Sequence, residues 1–413
     1  MDINKIKAPS SVIEKESTLK RSFNPIKNIL RNPLGYFVIL GIVLCVLGFM
    51  AQKKIIPYSL ATSLTKVTIY AIISIGFCLL LGYSGLASLG TAGFVGIGAL
   101  AGYLAMERWP LIFEIGDIKF NLSFFIAFAL TIVLALIIGA FVGFISLRIE
   151  GMYLAILTLG LAEILFKLLE NLATIFTGSA TIKIKSGNLF FIISETLGKW
   201  DKSTKCIVAV VIFVILLVLT QNLINSPTGR AMLTMKNSTS AAQAMGISLI
   251  KYRLLAFVIS TIYAAIGGLL YLACVTGSLN TSDTTLLTLS TSLNILGAII
   301  IGGSKSLWGT ILGVVIVFGL QELVFNNIPG IADFFQDNPD FMAIVSGLLI
   351  IVIVMFYPGG LSQLFVEIVT YSSVPLEAII GIFEIVVSCF DALLNSMLFK
   401  VLSFISKSLD EIL

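Results

Sequence analysis

The side chains that most often carry out catalysis are scarce in this sequence. The chain of 413 residues contains no histidine, and its five cysteines lie in apolar runs without a CxxC spacing. Histidine is the commonest general base and metal ligand in proteins, so most hydrolase and metalloenzyme chemistries are excluded. Neither a pair of carboxylates nor a nucleophile–base set takes its place. We therefore predict no catalytic residue, no metal site and no cofactor.

Three ionisable residues interrupt one long apolar segment at positions that share a helical face. Glu163, Lys167 and Glu170 follow the spacing i, i+4 and i+7. A charge at mid-bilayer costs on the order of 2.5–3.5 kcal/mol on insertion scales, so the face must meet water, a substrate path or another polar helix. For Glu163, a hydrated path and a self-paired stripe that seats one helix on another both stay open. For Lys167 and Glu170, nearer the segment's end, the structural interpretation is favoured.

Glycines are concentrated in two other apolar segments, around Gly85 and Gly90 and around Gly303. Small residues allow close backbone approach and broken helices whose free polar groups line a cavity. Residues 85–93 also resemble residues 303–313 when small insertions are allowed. Paired glycine-interrupted segments are typical of a transporter's central site, so an internal repeat is one interpretation. Close helix packing alone is the other.

The elements that must position these residues are membrane-spanning helices. Hydrophobic residues make up 58% of the chain and charged residues 12%, against about a quarter charged in soluble domains. A hydrocarbon core of about 30 Å needs about 20 apolar residues per crossing. We predict an all-α polytopic membrane protein with about ten spans, of which the short eighth leaves a broken or re-entrant helix open. The predicted spans are 34–51, 59–82, 87–106, 122–147, 152–176, 206–224, 254–277, 287–303, 307–326 and 342–357.

The basic residues predict the orientation of these spans. Residues 1–33 are polar and basic and are expected to form a retained cytoplasmic arm before a transmembrane domain at 34–360. The loop 225–253 contains Arg230, Lys236, Lys251 and Arg253 without an acidic residue, which places it, and both chain termini, in the cytoplasm. The lysine-rich segment 177–205 is then external, against the rule.

The last part of the chain has a different pattern. Glu377, Glu384 and Asp391 recur every seven residues in an otherwise apolar stretch, so they share one helical face. We favour a surface-lying amphipathic helix within 361–413 over an eleventh crossing.

Several motifs now point to a known family. The sequence Gly-Tyr-Ser-Gly-Leu-Ala-Ser-Leu-Gly-Thr-Ala-Gly-Phe at 82–94 resembles the opening motif of permease subunits of branched-chain amino acid ABC importers. Residues 147–159, followed by Glu163, resemble their next motif. Ser-Pro-Thr-Gly-Arg at 226–230 and Ala-Ala-Gln-Ala-Met-Gly-Ile at 241–247 are similar to their long cytoplasmic loop, and the glycines at 302–303 and Leu-Trp-Gly at 307–309 to their last motif. The resemblance covers about residues 35–360.

This resemblance implies a fold, partners and site residues. The partners would be cytoplasmic ATPase subunits, a second permease subunit and an external solute-binding protein, in the bacterial cytoplasmic (inner) membrane and without nucleic acid. Positions along the substrate path would be Gly85, Ser88, Gly90, Thr91, Glu163, Asn294 and Gly303. Positions that couple to the ATPase would be Gly229, Arg230, Ala241, Ala242, Met245 and Gly246, since a short helix with small side chains suits a groove.

Other functions stay open as alternatives. Leu86, Thr91 and Asn294 differ from the family's usual pattern, which keeps related permeases for nucleosides or simple sugars as a second interpretation. A stand-alone secondary transporter or channel would need charged residues in several spans, whereas only one span here is clearly charged. A non-transporting membrane scaffold is a third interpretation. Residues 303–306 lack the glycines of a phosphate-binding loop, so ATP would have to bind to another chain.

Overall fold

A computed structural model of the chain describes residues 33–52, 58–108, 112–115, 118–121, 123–146, 152–178, 181–184, 202–280 and 287–324, with six further single positions up to residue 361. The predicted basic arm, nearly all of the tenth span and the predicted C-terminal helix lie outside these residues. Those three features therefore stay predictions.

Helices account for almost all of the described chain, which confirms the expected helical membrane protein. The helices are α1 Pro33–Gln52, α2 Tyr58–Cys78, α3 Thr91–Tyr103, α4 Ser123–Ser146, α5 Met152–Thr177, α6 Lys202–Asn225, α7 Pro227–Asn237, α8 Thr239–Ala244, α9 Leu249–Leu270, α10 Leu289–Gly302 and α11 Leu307–Val314. Four of them continue into wider π-helical turns: Leu79–Ser84 after α2, Leu104–Arg108 after α3, Tyr271–Thr276 after α9 and Val315–Val324 after α11.

The number of crossings is not settled by these helices. Within the described residues, four helices are both long and apolar enough to span a bilayer: Leu60–Ser84, Ser123–Ile145, Thr204–Asn225 and Leu249–Thr276. The predicted eighth span is indeed short, because α10 has 14 residues and rises about 21 Å, less than a bilayer core. The count of ten spans therefore stays a prediction.

Two pairs of short strands add to the helices and were not expected. Strands β1 (Ile112–Ile115) and β2 (Ile118–Asn121) form an antiparallel hairpin between α3 and α4. Strand β3 (Thr181–Lys183), just after α5, pairs with β4 (Ser278–Asn280), just after α9, in an antiparallel register that sets Ile182 opposite Leu279. The second pair joins segments almost a hundred residues apart, a distance over which hydrophobic periodicity carries no information.

The core is built around α3 and α9, with α2 packed against α9. All thirteen residues of α3 are buried, and the helix packs on α9, α4 and α5. The most apolar windows of α2 and α9 are 83% and 78% buried, whereas those of α4 and α6 are only 28% and 33% buried. Both outer helices expose large apolar side chains, such as Phe141 on α4 and Leu219 on α6, as expected of a surface in contact with lipid.

Candidate translocation path and coupling region

Two pairs of consecutive helices are separated by short non-helical turns, at residues 85–90 and 303–306, which we call the first and second helix breaks. Both breaks lie at one end of the molecule. After the π-helical turn Leu79–Ser84, Gly85 takes a left-handed conformation with φ = 75°, and α3 begins at Thr91. After α10, Gly303 has φ = 97°, and α11 begins at Leu307. Such φ values favour glycine, because a Cβ atom would be strained there. Both glycines were predicted as path residues, and both end a helix.

Hydrogen bonds to side chains of other helices hold the first break inside the protein. The backbone N–H groups of Leu89 and Ala92 donate to the hydroxyl of Thr158 on α5, at 3.0 Å, and to that of Ser292 on α10, at 3.1 Å. The N–H of Gly90 donates to the hydroxyl of Ser88 at 3.3 Å. The N-terminal end of α3 is thereby supplied with acceptors by α5 and α10. Thr158 and Ser292 were not among the predicted residues, since serine and threonine are common in apolar helices.

The predicted path residues divide between the interior and the outer surface. Ser88, Gly90, Thr91 and Gly303 are buried, and Asn294 on α10 is half-buried. Glu163 instead lies on the exposed face of α5. The structure therefore joins the two glycine-interrupted segments to each other and does not bring Glu163 to them.

The exposed face of α5 forms a shallow, mostly apolar groove that also contains a few polar side chains. The groove has a volume of about 610 Å³, and its lining includes Gly160, Glu163, Lys167 and Asn171. Lys167 donates to Glu170 at 2.9 Å, and their side chains are 62% and 30% exposed. This ion pair matches the structural interpretation of Lys167 and Glu170. Ile164 lines the groove as well, and the large exposed side chains of Tyr153 and Ile156 precede it on the same helix.

The two short helices α7 and α8 form a capped pair at the same end as the breaks. The hydroxyl of Ser226 accepts from the N–H of Gly229, and the hydroxyl of Ser238 accepts from the N–H of Ala241 at 3.2 Å. These are N-caps of the usual kind, the first with Pro227 at the first helical position. Gly246, with φ = 77°, ends α8.

The six predicted coupling residues have different environments in this pair. Arg230, Ala241 and Met245 are exposed, and the Met245 side chain keeps 63% of its surface accessible. Ala242 is completely buried. A Cβ atom at Gly229 would overlap the backbone carbonyl of Ile224, so this glycine is needed for the tight turn from α6 to α7. The prediction that Ala242 lies on an exposed docking face is thus not matched by its position, and Gly229 and Gly246 shape the backbone.

Lys236 on α7 makes a direct contact between the helix pair and the first break. Its ammonium group donates to the backbone carbonyl of Gly82 at 2.6 Å. Its aliphatic stem passes over Gly85, where a Cβ atom would lie 3.2 Å from Lys236 Cγ. Burial lowers the pKa of Lys236 from its ordinary value, and the nearby charge of Lys305 lowers it further. The sequence offered no signal for this role, because one lysine in a basic loop is expected to set topology only.

The chain matches one protein-family model, that of the permease component of branched-chain amino acid transport systems, over residues 59–354. It is a member of this permease family. The match includes both glycine breaks, the α5 face and the α7–α8 pair, so every predicted path and coupling residue lies inside it.

Three curated relatives agree with this membership. The LivM permease proteins of high-affinity branched-chain amino acid transport from Salmonella typhimurium and Escherichia coli are each 28% identical over 316 residues, which cover 72% of this chain and 68% of the relative. A probable ABC transporter permease, y4mJ of Sinorhizobium fredii, is 27% identical over 227 residues, or 52% of this chain and 64% of that protein. No solved structure matches the chain.

Proposed function

We propose that this chain is one transmembrane subunit of an ATP-driven importer of branched-chain amino acids in the bacterial cytoplasmic membrane. It would work with a second permease subunit, cytoplasmic ATPase subunits and an external solute-binding protein. The observation that carries this proposal is the family match over 59–354, together with relatives named as high-affinity branched-chain amino acid permeases.

The exposed face of α5 supports a second permease subunit. Glu163, Lys167 and Asn171 lie on the surface of a helix most of whose other exposed residues are large and apolar. A charged stripe facing lipid is costly, even when two of its members are paired. A second transmembrane subunit across this face would cover the apolar side chains. It would also enclose the groove between the two subunits, where Glu163 would supply a charged group to the passage, which is the role proposed for Glu163.

The α7–α8 pair supports an ATPase partner. Both helices are fixed to the membrane domain by buried side chains, among them Met232, Met235 and Ala242, while Arg230, Ala241 and Met245 face outward. A short, rigid, capped element with an exposed apolar side chain suits insertion into a groove on another protein. We propose that this outward face binds the ATPase.

The interior residues are proposed to form the gate of the path. Ser88, Gly90 and Thr91 at the start of α3 and Gly303 after α10 lie at the two helix breaks, and half-helix ends of this kind bind polar solutes in transporters. We also place Asn294 on this path, because it is the one predicted path residue with an amide side chain.

The test is purification of the tagged chain from native membranes, followed by reconstitution of the complex with its solute-binding protein. We expect a nucleotide-binding subunit and a second permease to co-purify, and ATP-dependent uptake of leucine, isoleucine and valine. Uptake of a nucleoside or a simple sugar in place of these amino acids would show a related permease. ATP-independent uptake by the chain alone would show a secondary transporter.

A further inference from the structure

We propose that Lys236 is the positioning residue that transmits movement of the α7–α8 pair to the two helix breaks. This inference rests on the proposed coupling of α7–α8 to an ATPase and names the contact through which that coupling reaches the path. We call the contact region, formed by Cys78, Gly82, Gly85, Lys236 and the turn 303–306, the break junction.

The first argument is the position of the lysine charge. Lys236 donates to the carbonyl of Gly82 within the last π-helical turn before the first break. Carbonyl groups at a helix C-terminus lack partners inside the helix and carry the negative end of the helix dipole. A lysine ammonium group is therefore a suitable cap for them. Lys236 holds the end of the α2 segment from a different element, 154 residues away in sequence.

The second argument is that Gly82 also touches the second break. A Cβ atom on Gly82 would overlap the carbonyl oxygen of Ser304. The thiol of Cys78 donates to that same carbonyl at 3.4 Å, and the hydroxyl of Tyr83 donates to the carbonyl of Lys305 at 3.0 Å. The segment that Lys236 holds is thus in direct backbone contact with the turn that follows α10.

The third argument is that Lys236 also packs directly against the first break. The stem of Lys236 lies against Gly85, whose φ of 75° marks the point where the α2 segment ends. Six residues later the chain enters α3, and around this point the N–H groups of Leu89 and Ala92 donate to the hydroxyls of Thr158 and Ser292. Displacement of α7 would therefore move Gly82 and Gly85, and with them the entrance to α3 and the turn 303–306.

The proposal is tested with Lys236→Met, which keeps the stem and removes the charge, and with Lys236→Arg, which restores a cationic donor. The matched control is Lys251→Met, since Lys251 is an exposed lysine on α9 at the same end. Two quantities are measured on the reconstituted complex: solute taken up per ATP hydrolysed, and co-purified ATPase. A third is the rate at which N-ethylmaleimide alkylates Cys78 in native membranes, read by mass spectrometry.

We expect Lys236→Met to retain the ATPase but to transport about tenfold less solute per ATP, as expected from the loss of one charge-assisted hydrogen bond. Cys78, which is fully buried, should be alkylated about tenfold faster because the junction opens. Lys236→Arg should restore most of the solute uptake per ATP and most of the protection of Cys78 from alkylation. Lys251→Met should change neither the uptake nor the alkylation rate.

Unchanged alkylation of Cys78 in Lys236→Met would overturn the proposal, whatever the transport result. So would a lower yield or melting temperature with normal uptake per ATP, since Lys236 would then only stabilise the fold. If the wild-type complex takes up no solute, the proposed function fails, and the alkylation rate still decides whether Lys236 holds the junction.

Discussion

Gly98 on α3 lies directly against the backbone carbonyl of Ala265 on α9, and a methyl group at position 98 would overlap that oxygen. The contact is reciprocal, because a methyl group at Gly268 of α9 would overlap the carbonyl of Val95 on α3. Glycines at facing positions let two helix backbones approach closely, and in a membrane such packing is a main source of helix association. The central helix pair is therefore held at a distance that only glycine permits.

The first prediction is that Gly98→Ala destabilises the chain. The added methyl group meets a backbone atom that cannot rotate away, and overpacking of this kind costs about 1–3 kcal/mol. The measurement is the melting temperature of the purified chain in detergent. Gly160→Ala is the control, because a Cβ atom at Gly160 has no neighbour within 4 Å and alanine favours a helix. Equal melting temperatures for the two variants would contradict the packing seen between α3 and α9.

The second prediction concerns the charge of Glu163. Glu163→Gln should lower uptake roughly tenfold, an effect of about 1.4 kcal/mol, while the chain still inserts and assembles with its partners. The physical reason is that the carboxylate would face the proposed passage between the two subunits, where its charge interacts with water and solute. Uptake by the reconstituted complex is compared with that of Glu170→Gln, which breaks the ion pair to Lys167 and should transport normally. Normal uptake by Glu163→Gln with a reduced melting temperature would give Glu163 a structural role instead.

The third prediction separates two neighbouring alanines of α8. Ala241→Arg should reduce co-purified ATPase and ATP-dependent uptake without changing the melting temperature, because Ala241 is exposed on the proposed docking face. Ala242→Arg should instead lower the melting temperature of the isolated chain. The buried alanine leaves no room for arginine, so the overpacking cost of about 1–3 kcal/mol adds to that of a buried charge. If Ala241→Arg assembles and transports normally, the ATPase does not bind this face.

The fourth prediction is that the helix breaks and the α7–α8 pair face the cytoplasm. A cysteine at Ser240, exposed on α8, should react with a membrane-impermeant maleimide only after cells are opened. A cysteine at Thr276, exposed at the far end of α9 beside β4, should react in intact cells. The basic, acid-free loop is the reason for this orientation. The reverse labelling pattern would invert the topology and place the ATPase-binding face elsewhere.

The sequence predicted the helices well because lipid imposes a simple rule on them. Runs of about 20 apolar residues must be helical to satisfy their backbone groups, and nine of the ten predicted spans coincide with described helices. The glycines at 85 and 303 predicted both breaks. It was harder to predict which residues of the short helices are buried. Ala241 and Ala242 have identical side chains, and only the packing of α7 and α8 decides which one faces outward.

Contacts between distant segments could not be predicted. The pairing of β3 with β4 and the hydrogen bond from Lys236 to Gly82 join residues with no shared periodicity or motif. The same holds for Thr158 and Ser292, whose hydroxyl groups accept from the first break. Glu163 was grouped with the glycine segments by function. Its helical position, however, sets it on the far side of α5 from Leu165 and Leu169, which face α3.

Gly360 packs against the turn that follows α10. With φ = 76°, it lies against the backbone of Gly303, where no larger residue would fit. The turn that follows α10 is therefore packed by glycines from both directions along the chain, by Gly82 from before it and by Gly360 from after it, and a side chain at either position would displace it.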